Sequence, residues 1–135
     1  TGSAPDGGAF TDFLGKLNDS TFGVAATSND STGCFAGHCD WRLPAIGELR
    51  TILVGPHAAP GQDLSCAALP CIDPDFADVG GTTARSLYWS ASPAPLFMFP
   101  VNAWGAQFFS GHVENESATK SEAFFVRAVR AGSCD

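Results

Sequence analysis

Charge is scarce in this 135-residue chain: Asp, Glu, Lys and Arg together make up 16%, and 7 Lys and Arg stand against 14 Asp and Glu. A net charge of −7 disfavours the clustered basic surface through which proteins grip phosphate backbones and anionic membranes. Nucleic acid is not an expected partner. Long apolar runs are missing as well. No stretch approaches the ~20 residues that a bilayer span needs, and no charged and then apolar leader opens the chain. Histidine is confined to positions 38, 57 and 112, none in a metal-binding pair spacing or beside a nucleophile. No Gly-x-Ser-x-Gly, phosphate-loop or dinucleotide fingerprint occurs. Catalysis has no residue-level support, so the expectation is a non-catalytic protein without an obligate cofactor.

What is present in quantity is Gly (15), Pro (9) and Phe (11), with three Trp. That is the make-up of a compact, loop-rich fold whose aromatics supply the core. One domain is expected at this length, burying about two thirds of its unfolded surface. Residues 1–8 read as a linker and 9–135 as the domain. Two cysteine pairs share one spacing, Cys34 with Cys39 and Cys66 with Cys71. Such pairs occur as closed disulfide loops and as arms of structural zinc sites. Zinc arms more often space their ligands by about two to four residues and sit in basic modules, so the acidic charge favours disulfides and an exported protein whose signal lies upstream of Thr1. Each small ring would contribute about 2 to 3 kcal/mol by loop closure, so its main effect is on loop shape. His38 is expected to orient the first of these turns. Cys134 is left over, either with a partner outside this segment or as a frayed tail thiol.

Phe10, Phe13, Leu14 and Leu17 recur at helical spacing and predict a short helix over about 9–18, ended by Asn18-Asp19-Ser20. A second helix is predicted from Pro44, with Ile46, Leu49, Ile52 and Leu53 as its apolar stripe and Gly55-Pro56 as its stop. Periodicity then lapses from His57 to Arg85, a loop long enough to need special anchoring. Strand character returns at Leu87–Ser90. Alternation at Trp104, Ala106 and Phe108, followed by Ser110-Gly111 and His112–Asn115, predicts a hairpin. Ala123–Arg130, apolar on both faces apart from its arginines, reads as a central strand buried on both sides. Helices early and antiparallel strands late make an α+β domain.

These residues in this order carry a resemblance: Leu17-Asn18, then Phe35 to Arg50 with Asp40-Trp-Arg-Leu-Pro44 inside, Ile72-Asp-Pro74 with Phe76, Tyr88-Trp-Ser90, Ala103-Trp104 with Phe108 and Gly111, and Val126-Arg-Ala-Val-Arg130. Over nearly the whole chain the sequence resembles the domain family typified by the C-terminal domain of the Legionella collagen-like adhesin. The resemblance implies a bacterial surface or secreted domain with a C-type-lectin-like core and the Arg-Leu-Pro element of sulfatase-modifying-factor domains. The modifying reaction of the latter needs paired reactive cysteines late in the fold, and here only Cys134 follows Cys71. Two departures stand out. The family's opening strand with its Thr-Gly-Leu-x-Trp motif is absent unless an upstream segment or a partner supplies it. The double cysteine staple is this chain's own.

Trp41, Arg42, Leu43, Pro44 and Glu48 invite a catalytic reading, with Arg42 as anion clamp and Glu48 as base. The simpler reading has indole and leucine filling the core, and Arg42, Glu48, Arg127 and Arg130 forming a structural ion-pair network. Breaking such a network would cost about 3 to 5 kcal/mol if it is buried. Asp73, Asp75 and Asp78 offer hard oxygen ligands suited to calcium, or form a solvated acidic loop. The apolar run Leu96 to Val101 either folds Phe97 and Phe99 back onto the core or, facing outward, is the expected contact surface. Leu96, Phe97 and Phe99 lead it, with Asn102, Gln107, Phe109 and Glu114 bordering one end of the hairpin. Asn18, Asn29 and Asn115 match the glycosylation pattern, and Asn29 sits in the most exposed-looking loop. The leading expectation is an extracellular adhesion module for a glycan or protein. The alternatives are a filament or oligomer subunit assembled through the 96–101 loop, or a hypervariable lectin-fold receptor.

Overall fold

The computed structural model describes residues 8–19, 34–55, 66, 68–79, 81–94, 102–114 and 120–131. Within them the chain is an α+β fold, with short helices preceding a three-stranded antiparallel sheet.

Helix α1 begins as a π-helical stretch, Ala9–Leu14, and runs on into an α-helical turn, Gly15–Asn18. Of its apolar stripe only Leu14 is fully buried, while Phe10, Phe13 and Leu17 are half-buried. Asn18 ends it by a specific device. Its side-chain oxygen accepts from the Trp41 N–H at 2.8 Å and its amide donates to the Trp41 carbonyl at 2.7 Å, so the side chain imitates a neighbouring strand. Both of its polar atoms are thereby occupied, which sets this Asn-x-Ser site apart from an exposed acceptor.

Helix α2 (Ile46–Ile52) is shorter at both ends than predicted. Pro44 lies outside it because its carbonyl accepts from Ala91 N–H, and Leu53 is extended because it bridges to Ile72. Two side chains satisfy the helix's first donors: Glu48 Oε2 accepts from Ala45 N–H at 2.8 Å and Ser92 Oγ from Ile46 N–H at 3.0 Å.

Strands β1 (Leu87–Pro93), β2 (Ala103–Gln107) and β3 (His112–Glu114) form the sheet in that order. The β2–β3 connection is a four-residue turn, 108–111, rather than a tight Ser-Gly joint, since Gln107 still pairs with His112. Gly111 closes it at φ +77°, with its N–H on the Gln107 carbonyl at 2.8 Å. A left-handed residue at that point is what glycine permits without steric cost.

Alternation along the strands gives the sheet two unequal faces. On one, Tyr88, Ala106 and Phe108 pack with Leu49 of α2 and Ile72 into the larger core, rimmed by Ile46, Ile52 and Leu53. On the other, Leu87, Trp89 and Ala103 form a smaller cluster covered by Phe124 and Val126. The irregular middle of the chain is anchored to the larger core: Cys71 N–H donates to the Phe108 carbonyl, Val54 N–H to the Cys71 carbonyl and Asp73 N–H to the Ile52 carbonyl.

Two expectations are overturned here. The Ala123–Arg130 segment is not a central strand buried on both sides. It is an edge segment pinned at two points, Phe125 to β1 at Tyr88 and Val129 to Arg42, and Phe125 is 50% exposed. Nor do the aromatics chiefly fill the core. Of the eight described phenylalanines only Phe108 is buried, and Phe35, Phe76, Phe109 and Phe125 are exposed. Trp41 is likewise only half-buried, its indole N–H donating to the Phe35 carbonyl at 3.0 Å across the first cysteine loop.

Both cysteine pairs are closed disulfides, Cys34–Cys39 and Cys66–Cys71, with Cα atoms 5.3 and 5.5 Å apart. Bonded in pairs, these four sulfurs are not thiolate ligands, which removes the zinc reading. Within the first ring, His38 closes a 3-10 turn by donating its backbone N–H to the Phe35 carbonyl at 3.1 Å.

Candidate functional site

The smaller core does not close completely. Beside it lies a cleft of about 430 Å³. Trp89 and Ala91 from β1 and Ala103 from β2 contribute to its floor. Phe10 and Phe13 of α1, with Leu43, form one wall, and Phe124 and Val126 form the other. Lys120, Ser121 and Glu122 stand on the lip.

The local sequence accounts for the opening. On the face where Trp89 and Phe124 meet edge to face at 5.2 Å, the next small positions are Ala91 and Ala103, whose methyls leave volume that a Val or Leu would occupy. Polar groups around the floor are already partnered. Ser90 Oγ donates to the Trp104 carbonyl at 2.7 Å and accepts from Ser92 N–H at 3.1 Å, and Ala91 N–H donates to the Pro44 carbonyl at 2.8 Å. The cleft therefore presents apolar, mainly aromatic walls under a polar lip.

The residues singled out from the sequence distribute otherwise. Arg42 and Glu48 do meet, in a two-pronged pair at 2.6 and 2.7 Å, but their side chains are 48% and 46% exposed, so this is a surface pair and not a buried one. Glu48 is held down to about 2, chiefly by the Arg42 hydrogen bonds, then by the Ala45 N–H and by the Arg42 charge. Arg130 pairs separately with Asp40 at 3.2 Å. Arg127 joins neither. Its guanidinium donates to Thr83 Oγ1 and weakly to the Phe76 and Val79 carbonyls, and lies 5.7 Å from the Tyr88 ring centre. The expected four-member network thus resolves into two surface pairs and one arginine that ties a turn, because Arg127 and Arg130 leave the edge segment in different directions.

Asp73 caps the 3-10 turn Pro74–Phe76 by accepting from Asp75 N–H at 2.9 Å. Among the described residues no three His, Cys, Asp or Glu side chains converge on a metal-sized site, Asp73, Asp75 and Asp78 included. Asn102, Gln107, Phe109 and Glu114 do not share one end of the hairpin. Asn102 is buried before β2, and Gln107 lies five residues on at its far end, about 16 Å away at strand rise. There Gln107 accepts from Ser110 Oγ at 2.6 Å, and Phe109 is exposed on the turn. Glu114 faces Gly105 in the middle of β2. Leu96, Phe97, Phe99 and Asn29 lie outside the described residues.

Sequence reasoning missed the cleft, whose lining comes from five separated segments. A faint signal exists in the alanines that interrupt large apolar residues at 91 and 103.

Among the described residues no helix is long and apolar enough to cross a membrane. No curated protein and no solved structure matches the chain. The family model of the Lcl C-terminal domain, however, matches residues 11–130, a span that takes in both disulfides, the whole sheet and the cleft from Phe13 to Val126. The chain belongs to the Lcl C-terminal domain family.

Proposed function

We propose that this chain is a non-catalytic binding module acting outside the cell, a rigid lectin-like scaffold that contacts a protein or glycan through its aromatic surface. The observation that carries the reading is the placement of phenylalanine. A fold with enough aromatics to build a core leaves four of eight described phenylalanines exposed and three more half-buried. Exposed apolar patches of this kind mark contact surfaces in water-facing proteins. Phe76, Val79 and Phe125 lie around Arg127, which holds the first two by their carbonyls, and Phe10, Phe13 and Phe124 border the cleft.

The family is one of bacterial surface-associated domains, and closed disulfides suit an oxidising compartment. Nothing in the reading calls for an active site. Arg42 and Glu48 neutralise each other, Glu48 also caps α2, and Asp73 serves a turn.

Saturable binding to immobilised neutral glycans or purified surface proteins, by material whose mass is constant with concentration, is the expected result. Concentration-dependent assembly with no ligand binding would replace this reading with that of a structural subunit.

A further inference from the structure

We propose that the cleft receives one large apolar side chain, a tryptophan or phenylalanine, from a protein partner whose flanking residues are basic. This rests on the binding-module reading and names the ligand of one site within it.

Size comes first. A volume of about 430 Å³ falls in the range of ligand-binding clefts, roughly 300 to 1,000 Å³, and is ample for an indole. The walls fit the same guest. Phe10, Phe13, Trp89 and Phe124 come from three separate segments, and such rings favour edge-to-face and offset contacts with an incoming aromatic.

Polarity then separates a side chain from a sugar. A pyranose brings several hydroxyls that must find partners on leaving water. Around the floor, the Ser90 hydroxyl and the Ala91 N–H are already spent within the protein. An apolar side chain asks for no such partners, and its own backbone stays at the polar lip.

Charge selects the flanks. The chain carries −7. Its described arginines near the core are occupied: Arg42 by Glu48, Arg130 by Asp40 and Arg127 by carbonyls and Thr83. At the lip Glu122 is exposed, whereas Lys120 is already engaged within the chain. The field at the mouth therefore favours cations beside the anchor.

The test is NMR titration of the disulfide-intact chain with three probes: a capped Lys-Gly-Trp-Gly-Lys peptide, its Glu-Gly-Trp-Gly-Glu counterpart and methyl β-D-glucopyranoside. Expected are saturable shifts at the Trp89 indole and at Phe124 and Val126 with the lysine peptide. It should bind about threefold or more tightly than the glutamate peptide at low ionic strength, and the glucoside should cause no shift there. Ala123 is exposed on the cleft wall. Ala123→Trp should weaken the lysine peptide by about tenfold or more, and Glu122→Lys should abolish the lysine preference even if the first variant folds poorly. Shifts with the glucoside, shifts mapping elsewhere, or indifference to both variants would overturn the assignment. If Ala123→Trp still binds a surface protein or glycan as the unmodified chain does, this inference fails and the module reading stands. Failure of every binding assay removes both.

Discussion

Replacing Glu48 by Gln removes a carboxylate with two structural duties, the two-pronged contact with Arg42 and the cap on Ala45 N–H. Were the pair buried, the loss would run to about 3 to 5 kcal/mol. It is not, since both side chains are nearly half exposed, and exposed pairs contribute only ~0.2 to 1 kcal/mol. Gln retains one oxygen for the cap, so the total loss for Glu48→Gln should be about 1 kcal/mol, with Ala costing up to ~2 kcal/mol because the cap goes as well. A double-mutant cycle with Arg42→Met should return a coupling below ~1 kcal/mol. The pH dependence follows from the direction of the shift. Glu48 titrates near 2 in the folded chain, held there first by the Arg42 hydrogen bonds, against ~4.3 when unfolded. Its contribution is therefore complete above about pH 5 and lost as pH falls toward 2. Urea unfolding followed by tryptophan fluorescence, disulfides intact, should show the gap between wild type and Glu48→Gln narrowing from pH 7 to pH 2. A loss above ~3 kcal/mol at pH 7, or a gap undiminished at pH 2, would refute the surface-pair reasoning.

Gly111→Ala should destabilise by about 1 to 3 kcal/mol in the same unfolding assay, because φ is +77° and the new methyl would stand 3.0 Å from Gly55 Cα and from the Val54 carbonyl oxygen. Gly47→Ala is the opposite case. It lies inside α2 with nothing within 4 Å of the added methyl, and should stabilise by ~0.5 to 1 kcal/mol. Asn18→Ala should cost about 1 to 3 kcal/mol and lower hydrogen-exchange protection at the Trp41 amide, whose acceptor it removes. Arg127→Met should speed exchange at Ala77 to Val79 and Gly81 to Thr83 more than at β2, since it frees the carbonyls of Phe76 and Val79 and the hydroxyl of Thr83 and, of the strands, touches only β1 at Tyr88.

Much of the fold is legible where one periodicity reports one burial surface. The Ile46, Leu49, Ile52 stripe finds α2, and the alternation through Ala106 and Phe108 finds β2 and the larger core, because each contact is local to an element. Asp40 to Pro44 is different. The sequence marks the stretch but not its use, which depends on partners 23 and 87 residues away, Asn18 at Trp41 and Val129 at Arg42. The edge segment misleads for a related reason. Phe124, Phe125 and Val126 are apolar in succession, as in a strand buried on both sides, yet Phe125 points outward and stacks on Tyr88 at 5.4 Å while staying half exposed. Hydrophobicity shows that a residue gains from leaving water. It does not show whether its own chain or a partner provides the cover.

That distinction bears on the cleft, because every wall is pinned by hydrogen bonds near the lining residues. α1, which brings Phe10 and Phe13, is tied at its end by Asn18 to Trp41. Leu43 sits between Arg42, paired in both directions with Val129, and Pro44, which accepts from Ala91. Phe124 and Val126 flank Phe125, whose N–H donates to Leu87 and whose carbonyl accepts from Trp89. Shifting the backbone inward at one of these points would break its bonded pair, leaving donors or acceptors unpaired in a partly buried setting. These bonds therefore oppose backbone movement under the apolar pull of the walls. A guest entering the cleft gains apolar contact without having to order the chain around it, the condition under which a small anchor binds with little loss to entropy.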